Sequence, residues 1–345
     1  MKYIVISDVH FHKFNDFSKS TGRVNNTRFE NQLDAVEDVL KIAQEEGRVL
    51  LFAGDLFHQR GRVDTQVFNE AFSLFKKYED VKIVAIEGNH DNVDNSINSV
   101  SSLEPFKVLK NFTLIETYDK ISIGEDTLVG VSYGEEYPEL KEFIKSNKAT
   151  ILMAHLGVEG SYGAGMSKLD GPFSTGDLLV PENYDVGLLG HYHRRQEVSP
   201  NVFYIGNPVA QNFSDSEQQK GYVTFETDKG KVLNDTMKFT RLKYPMFIKV
   251  DSTNIDKYGK DIEVISESNF VRVVLNEDSF KNLSLSDGLD DLPENLRVEK
   301  QVSVVTDSRI DITDMNSTLS IADKWSEEYQ PDNKKTILEQ LKKVL

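Results

Sequence analysis

Cysteine is absent from the 345-residue chain, which excludes disulfides, thiolate metal sites and a thiol nucleophile. No run of about 18 apolar residues occurs, so no segment reads as a transmembrane helix. The opening residues, Met1 to Ser7, lack the long apolar core and small-residue cleavage site of a signal peptide, and a cytoplasmic location is expected. Positive charge is also short. With 40 Lys and Arg against 56 Asp and Glu, the formal net charge is −16. A chain that grips nucleic acid by general electrostatics would be basic. Three options follow: the substrate is no polyanion, bound metals and a local patch overcome the global field, or a partner supplies the grip.

The length suits two domains and a tail. Residues 2–7 read as a strand that breaks at Ser7-Asp8, and 11–27 as a polar loop. Phe29, Leu33, Val36, Leu40 and Ala43 recur at helical spacing, predicting a helix over 28–46 closed by Gly47. Strand 49–53, a helix near 64–77 and strand 82–86 follow. Such alternation predicts a layered α/β domain with a partly parallel sheet. Further on, the pattern predicts a helix near 97–110, strands near 112–116, 120–123 and 127–132, and a helix over 137–146. Strands 149–154 and 185–189 come next, then an antiparallel closing region of strands near 202–206, 221–226 and 232–239. Beyond Arg241–Pro245 a small α/β module is expected over 246–306, with strands near 246–250, 270–275 and 297–305 around a helical or irregular middle, and an acidic turn at 287–294. Helices near 317–329 and 334–345 end the chain, the last one amphipathic.

Five strand ends carry polar residues of one chemical kind: Asp8 and His10, Asp55 and His58, Asn89 and His90, His155, and His191 and His193. Six of the seven histidines belong to this set. Open α/β sheets place ligands at the carboxyl ends of their strands. Imidazole, carboxylate and amide oxygen without thiolate suit a pair of Mn²⁺, Fe²⁺ or Zn²⁺ ions rather than a structural zinc. Such a pair can clamp a phosphate and activate water. Taken singly, these residues have plainer readings: Asp8 as a helix cap or turn, Asn89 as a turn residue, His155 as a structural histidine. Their combination in five blocks argues against those readings. His12 reads as a loop histidine.

The blocks Asp8-Val9-His10, Gly54-Asp55-Leu56-Phe57-His58, Gly88-Asn89-His90-Asp91, His155 and Gly190-His191-Tyr192-His193 resemble those of the calcineurin-like metallophosphoesterases, in the family's order. The resemblance implies two sheets flanked by helices. It also implies that Asp8, His10 and His193 hold one metal, that Asn89, His155 and His191 hold the other, and that Asp55 bridges them. His90 would act as acid or transition-state stabiliser and His58 as its second; the cofactor would be two divalent ions, Mn²⁺ first among them. Exposure at a strand end, rather than the resemblance, is what allows either histidine to titrate near neutral pH. Phe57-His58, the glycine-rich loop after His155, Phe203-Tyr204-Ile205-Gly206-Asn207-Pro208 and Lys220-Gly221 resemble the nuclease subunit of SbcCD-type recombination and repair complexes, compact as in bacteriophage versions. That branch implies a nuclease domain over 1–240, a capping and DNA-contact domain over 246–306, and a helical segment at 317–345 that binds an SMC-like ABC-type ATPase. It further implies DNA as substrate, double-strand exonuclease and single-strand endonuclease activity, and a homodimer with no membrane. Arg194 and Arg195 are candidates to meet DNA phosphate. A phosphatase or nucleotide phosphodiesterase on the same fold is the alternative.

Overall fold

A computed structural model describes residues 1–301 apart from 24–25, 164–166, 217, 259–260 and 286–291. Part of the acidic turn, the end of the last strand and both terminal helices expected from the sequence lie outside the described residues. Two compact units divide the chain at Glu299–Lys300, and the first carries everything that follows.

The first sheet contains β1 (Lys2–Ile6), β2 (Val49–Phe52), β3 (Ile83–Ile86) and β4 (Phe112–Ile115), all parallel, with β11 (Gly221–Asp228) antiparallel to β1 and β12 (Lys231–Arg241) beyond it. The second contains β5 (Tyr118–Ile123), β6 (Asp126–Val131), β7 (Ala149–His155), β8 (Tyr184–Gly190), β9 (Gln196–Ser199) and β10 (Val202–Tyr204), in the order β5-β6-β7-β8-β10-β9. Alternation along each strand sorts the side chains into layers. Tyr3, Val5, Leu51 and Val84 of the first sheet face Leu128, Ile151, Met153 and Val186 of the second. Ile4, Ile6, Leu50 and Phe52 pack instead on α1 (Thr27–Glu46) and α2 (Thr65–Lys77), and Val129, Leu152 and Leu189 on the other outer face pack with α3 (Tyr137–Ser146). Burial on both faces is why the parallel strands read as unbroken apolar runs.

Helix α1 begins where the Asn26 side chain accepts the Phe29 N–H at 2.9 Å, and it stops at Gly47, as the sequence predicts. Two readings need correction. No α-helix forms over 97–110; only a 3₁₀ turn occurs, at Glu104–Val108. There the Asp91 carbonyl accepts the Ser102 N–H and Oγ–H, and Val93 N–H reaches the Val100 carbonyl. The segment thus folds back on the loop after β3, and Pro105 has no N–H to continue a helix. Nor does β10 belong to a closing region; it lies parallel to β8 in the second sheet, beside β9, which the sequence reading did not resolve. Only one residue of β9 is apolar, which hides it from a hydrophobicity pattern.

A third sheet, ordered β13-β14-β15, is formed by β13 (Phe247–Val250), β14 (Phe270–Leu275) and β15 (Leu296–Lys300), with α4 (Ile255–Tyr258), α5 (Ile262–Ser268) and α6 (Glu277–Leu285) between the strands. Phe247 and Phe270 pack on Phe17 and Ala210, which joins this module to the loop after β1.

Candidate metal centre

Parallel pairing does not end with β1 and β2. Asp8 N–H donates to the Gly54 carbonyl at 2.9 Å, His10 N–H to Asp55 O at 3.1 Å and Phe11 N–H to Leu56 O at 2.8 Å. The two loops are thereby zipped together, which brings Asp8, His10 and Asp55 side by side. Asp8, His10, Asp55 and His191 all adopt positive φ, at 55°, 51°, 61° and 102°. Left-handed backbone costs a non-glycine residue about 1–2 kcal/mol, and strain of this kind collects at functional sites.

Buried polar side chains hold these loops. Gln32 on α1 donates to the carbonyls of Val9 (3.1 Å) and His10 (2.8 Å) and accepts the His12 N–H at 3.0 Å. The Asp91 carboxylate accepts four backbone N–H groups, from Asp55 and Gly88 on one oxygen and from Leu56 and Phe57 on the other, at 2.8–3.1 Å. Burial and then Asp55 push the Asp91 carboxyl up to about 7, against the pull of those donors. Lys220 donates to the His193 carbonyl at 3.0 Å and to Asp215 at 2.8 Å. Two glycines permit the close approach. A Cβ on Gly88 would overlap Asp55 Oδ1 and N, and one on Gly190 would overlap Ala53 O and Ser7 Oγ.

All seven residues that the sequence nominates as ligands meet here. Ligand atoms of Asp8, His10 and His193 lie within 4.8 Å of one another, as do those of Asp8, Asp55 and His155. Asp55 Oδ2 stands 3.3 Å from His10 Nε2 and 3.5 Å from His155 Nε2, between the two groups. Asn89 Oδ1 lies 3.1 Å from His155 Nε2 and 2.9 Å from His191 Nδ1. His155 Nδ1–H donates to the Ala53 carbonyl at 2.8 Å, so its Nε2 lone pair faces Asn89 and Asp55.

The donor set fits a cation pair. His10 Nε2 and His193 Nε2 confront each other at 3.1 Å, about the separation of two nitrogens held ~2.1 Å from one ion. His10 Nδ1 is buried without a hydrogen-bond partner. Burial raises the Asp8 carboxyl although His155 and His193 pull it down. Burial opposes ionisation of Asp55 too, but His155 and His10 hold it well below the usual range. The concentrated negative charge demands a positive partner: against the effect of burial, Asp55 and Asp8 push the His155 imidazole up to about 9. Burial instead drives His10 well below its usual value, and burial with His155 takes His191 down to about 3.

His90 N–H donates to Asp55 Oδ1 at 2.7 Å, and its Nδ1–H donates to the His58 carbonyl at 2.5 Å; among the described residues its Nε2 has no hydrogen-bond partner. The His58 ring stacks on His90 at 5.6 Å and touches Phe14 at 4.8 Å. Titration of His58 near neutrality is not what the structure indicates: burial, then His12 and His90, push it down to about 4. His12 lies beside it, 5.0 Å away ring to ring. Arg194 lines a cavity of about 230 Å³ with His191 and His193, whereas Arg195 turns away and stacks on Phe239 at 4.5 Å.

Gln32, Asp91 and Lys220 were not nominated as site residues. Gln32 left one signal, an amide three residues after Phe29 and four before Val36, on the apolar face of α1. Asp91 and Lys220 stand inside quoted motifs but have no ligand role that their type announces.

Comparison with known proteins bears on the family. A family model described as calcineurin-like phosphoesterase matches residues 1–195. The chain is 24% identical over 274 residues to an SbcCD nuclease subunit of Staphylococcus saprophyticus, covering 70% of this chain and 71% of that one. It is also 24% identical over 282 residues to "Exonuclease subunit 1" of Enterobacteria phage T4, covering 79% and 78%. Among solved structures, a novel archaeal phosphodiesterase aligns with a TM-score of 0.36 at 13% identity, over 70% of this chain and 100% of that one. With the family model spanning more than half of its length, and the strand-end residues converging as described, the chain belongs to the calcineurin-like phosphoesterase family.

Proposed function

We propose that this phosphoesterase is the nuclease subunit of a DNA-processing complex, cutting double-stranded ends as an exonuclease and single strands as an endonuclease. Asp8, His10 and His193 would hold one divalent ion and Asn89, His155 and His191 a second, with Asp55 shared and Mn²⁺ the cofactor. The observation that carries the reading is Asp55 Oδ2 poised between His10 and His155, at 3.3 and 3.5 Å. The relatives named as a nuclease subunit and an exonuclease subunit support a nucleic acid as the substrate, which would be DNA. Both names describe subunits, which supports a partner chain. That partner would be an ATPase of the SMC-like ABC type, in the cytoplasm of a bacterial cell, with the gene of phage origin. Residues 1–240 would form the nuclease domain, 246–306 the cap over DNA and 317–345 the segment that docks on the ATPase, in a homodimer. Among the described residues no helix is long and apolar enough to cross a membrane.

When bound, the metal pair supplies charge neutralisation at the scissile phosphate and activation of water. The chain's own residues do the rest. The His58 carbonyl fixes the His90 tautomer, so a second proton on that ring sits at Nε2, available to a departing 3′ oxygen. Asp91 and Gln32 keep the two ligand loops in register. Arg194, beside His191 and His193, would meet DNA phosphate; Arg195 on Phe239 would reach DNA only along a longer path.

Purified protein with Mn²⁺ and end-labelled DNA is expected to cleave, and Asp55→Asn is expected to be inactive and to lose the Mn²⁺-induced rise in melting temperature. No cleavage, with or without the ATPase and with Asp55→Asn behaving as wild type, sinks the reading. Turnover of small phosphomonoesters far above that of DNA would mark a phosphatase instead.

A further inference from the structure

A cleft of about 580 Å³ opens beside the metal centre, between the loop after β1, the 3₁₀ turn at Phe213–Asp215 and the third sheet. It falls in the ~300–1,000 Å³ range of small-ligand sites. His58, stacked on His90, forms one wall, and Phe14, in ring contact with His58, continues that wall away from the centre.

The cleft gathers cations and rings in a chain that is acidic overall. Arg28 lies 4.4 Å over the Phe14 ring, and Arg272 lies 4.0 Å over Phe213. Arg28 is 6% exposed. Its guanidinium donates only to backbone carbonyls, of Asp16 at 3.1 Å and of Gln211, and among the described residues no carboxylate forms an ion pair with it. Asp16 and Asp215 favour its charge from a distance, but neither pairs with it directly, so a buried cation is left able to receive an anion that enters the cleft. The Asp16 carboxylate lines the same cleft but is engaged by Arg297 at 3.3 Å, and Arg272 Nε is 3.2 Å from Glu299. Arginine beside aromatic rings at a concave surface is the chemistry that receives a nucleotide: phosphate on the guanidinium, base on a π face.

We propose that this cleft is a nucleotide subsite, where a base of the substrate strand next to the cleaved bond lies against Phe14 and Phe213 and its phosphodiester faces Arg28 and Arg272. This inference rests on the nuclease reading and adds to it. The enzyme grips one unstacked nucleotide through its base, and Arg28 and Arg272 supply there part of the local basic patch that could offset a net charge of −16. The third sheet, through Phe247 and Arg272, completes the subsite.

The test compares Phe213→Ala and Arg272→Gln with wild type in Mn²⁺, using a short single-stranded oligonucleotide and bis(p-nitrophenyl) phosphate. The ratio of kcat/KM for the oligonucleotide to that for the small ester is expected to fall at least about fivefold in each variant, the effect of losing one stacked base. An oligonucleotide with an abasic residue beside the cleaved bond should lose as much with wild type, and little more with Phe213→Ala. Unchanged ratios, or an abasic penalty equal in wild type and Phe213→Ala, overturn the subsite while DNA cleavage itself stands. A merely structural role would lower both activities together and leave the ratio, which also overturns it. Wild-type protein that hydrolyses the small ester and cleaves no nucleic acid overturns the nuclease reading, and this inference with it.

Discussion

Gln32→Met isolates the support of the His10 loop. The two side chains are close in size and in helix propensity, so α1 and its packing should persist. What disappears is polar: the acceptor of the His12 N–H at 3.0 Å and the donor shared by the Val9 and His10 carbonyls at 3.1 and 2.8 Å. Leaving the partly buried His12 N–H unsatisfied costs at most about 1–3 kcal/mol, and each weakened carbonyl adds about 0.5–1.5 kcal/mol. The sum is about 2–6 kcal/mol. At about 2–4 °C per kcal/mol, the metal-free protein should melt roughly 4–24 °C below wild type. His10 carries φ = 51°, a conformation that the Gln32 bonds help to hold, so relaxation of the loop should also weaken Mn²⁺ binding by about 10–100-fold, the usual consequence of losing a ligand's outer partner. Differential scanning calorimetry with and without Mn²⁺, paired with a calorimetric Mn²⁺ titration, measures both. A variant that melts within 1 °C of wild type (about 0.3 kcal/mol) and binds Mn²⁺ equally would refute the claim that Gln32 holds the loop.

Asp91→Ala strips the acceptor from four backbone N–H groups at once and should destabilise more than Gln32→Met, read by the same melts. His90→Gln should lower DNA turnover by about 10²–10⁴-fold yet lower hydrolysis of a p-nitrophenyl ester less, because a good leaving group needs no proton; equal losses on both substrates would contradict the acid role. Gly88→Ala forces a methyl onto Asp55 and should abolish the Mn²⁺-induced rise in melting temperature. Burial opposes ionisation of Asp215, but the Lys220 ammonium 2.8 Å away outweighs it and holds that carboxyl below its usual 3.8. Its stabilising contribution is therefore complete above the unfolded value and lost as pH falls through the folded one. Asp215→Asn should melt well below wild type at pH 7, with the gap closing below about pH 4; a gap independent of pH would show that the ion pair is not its cause.

The strand ends were legible in the sequence because each apolar run stops abruptly at a carboxylate, an amide or an imidazole. The start and stop of α1 were legible because capping and helix periodicity are local. The segment 97–110 was misread for a reason that is not local: Ser102 and Val100 are held by Asp91 and Val93 across a fold of the chain, and no spacing of side chains reveals that. The parallel place of β10 beside β8 is likewise a matter of which backbone finds which.

From sequence alone come the identity and order of the candidate donor residues, since chemistry resides in residue type and strand ends are written in hydrophobic pattern. Tertiary structure decides three things that pattern cannot carry. It sets the left-handed backbone at Asp8, His10 and Asp55, which lie in the zipped loops, and at His191, which follows β8. It makes Gln32 and Asp91 scaffolding, because their worth lies in backbone groups brought to them from elsewhere in the chain. And it assembles the arginine–phenylalanine cleft, whose members Phe14, Arg28, Phe213 and Arg272 are far apart along the chain and share a surface only after the third sheet folds against the loop that follows β1.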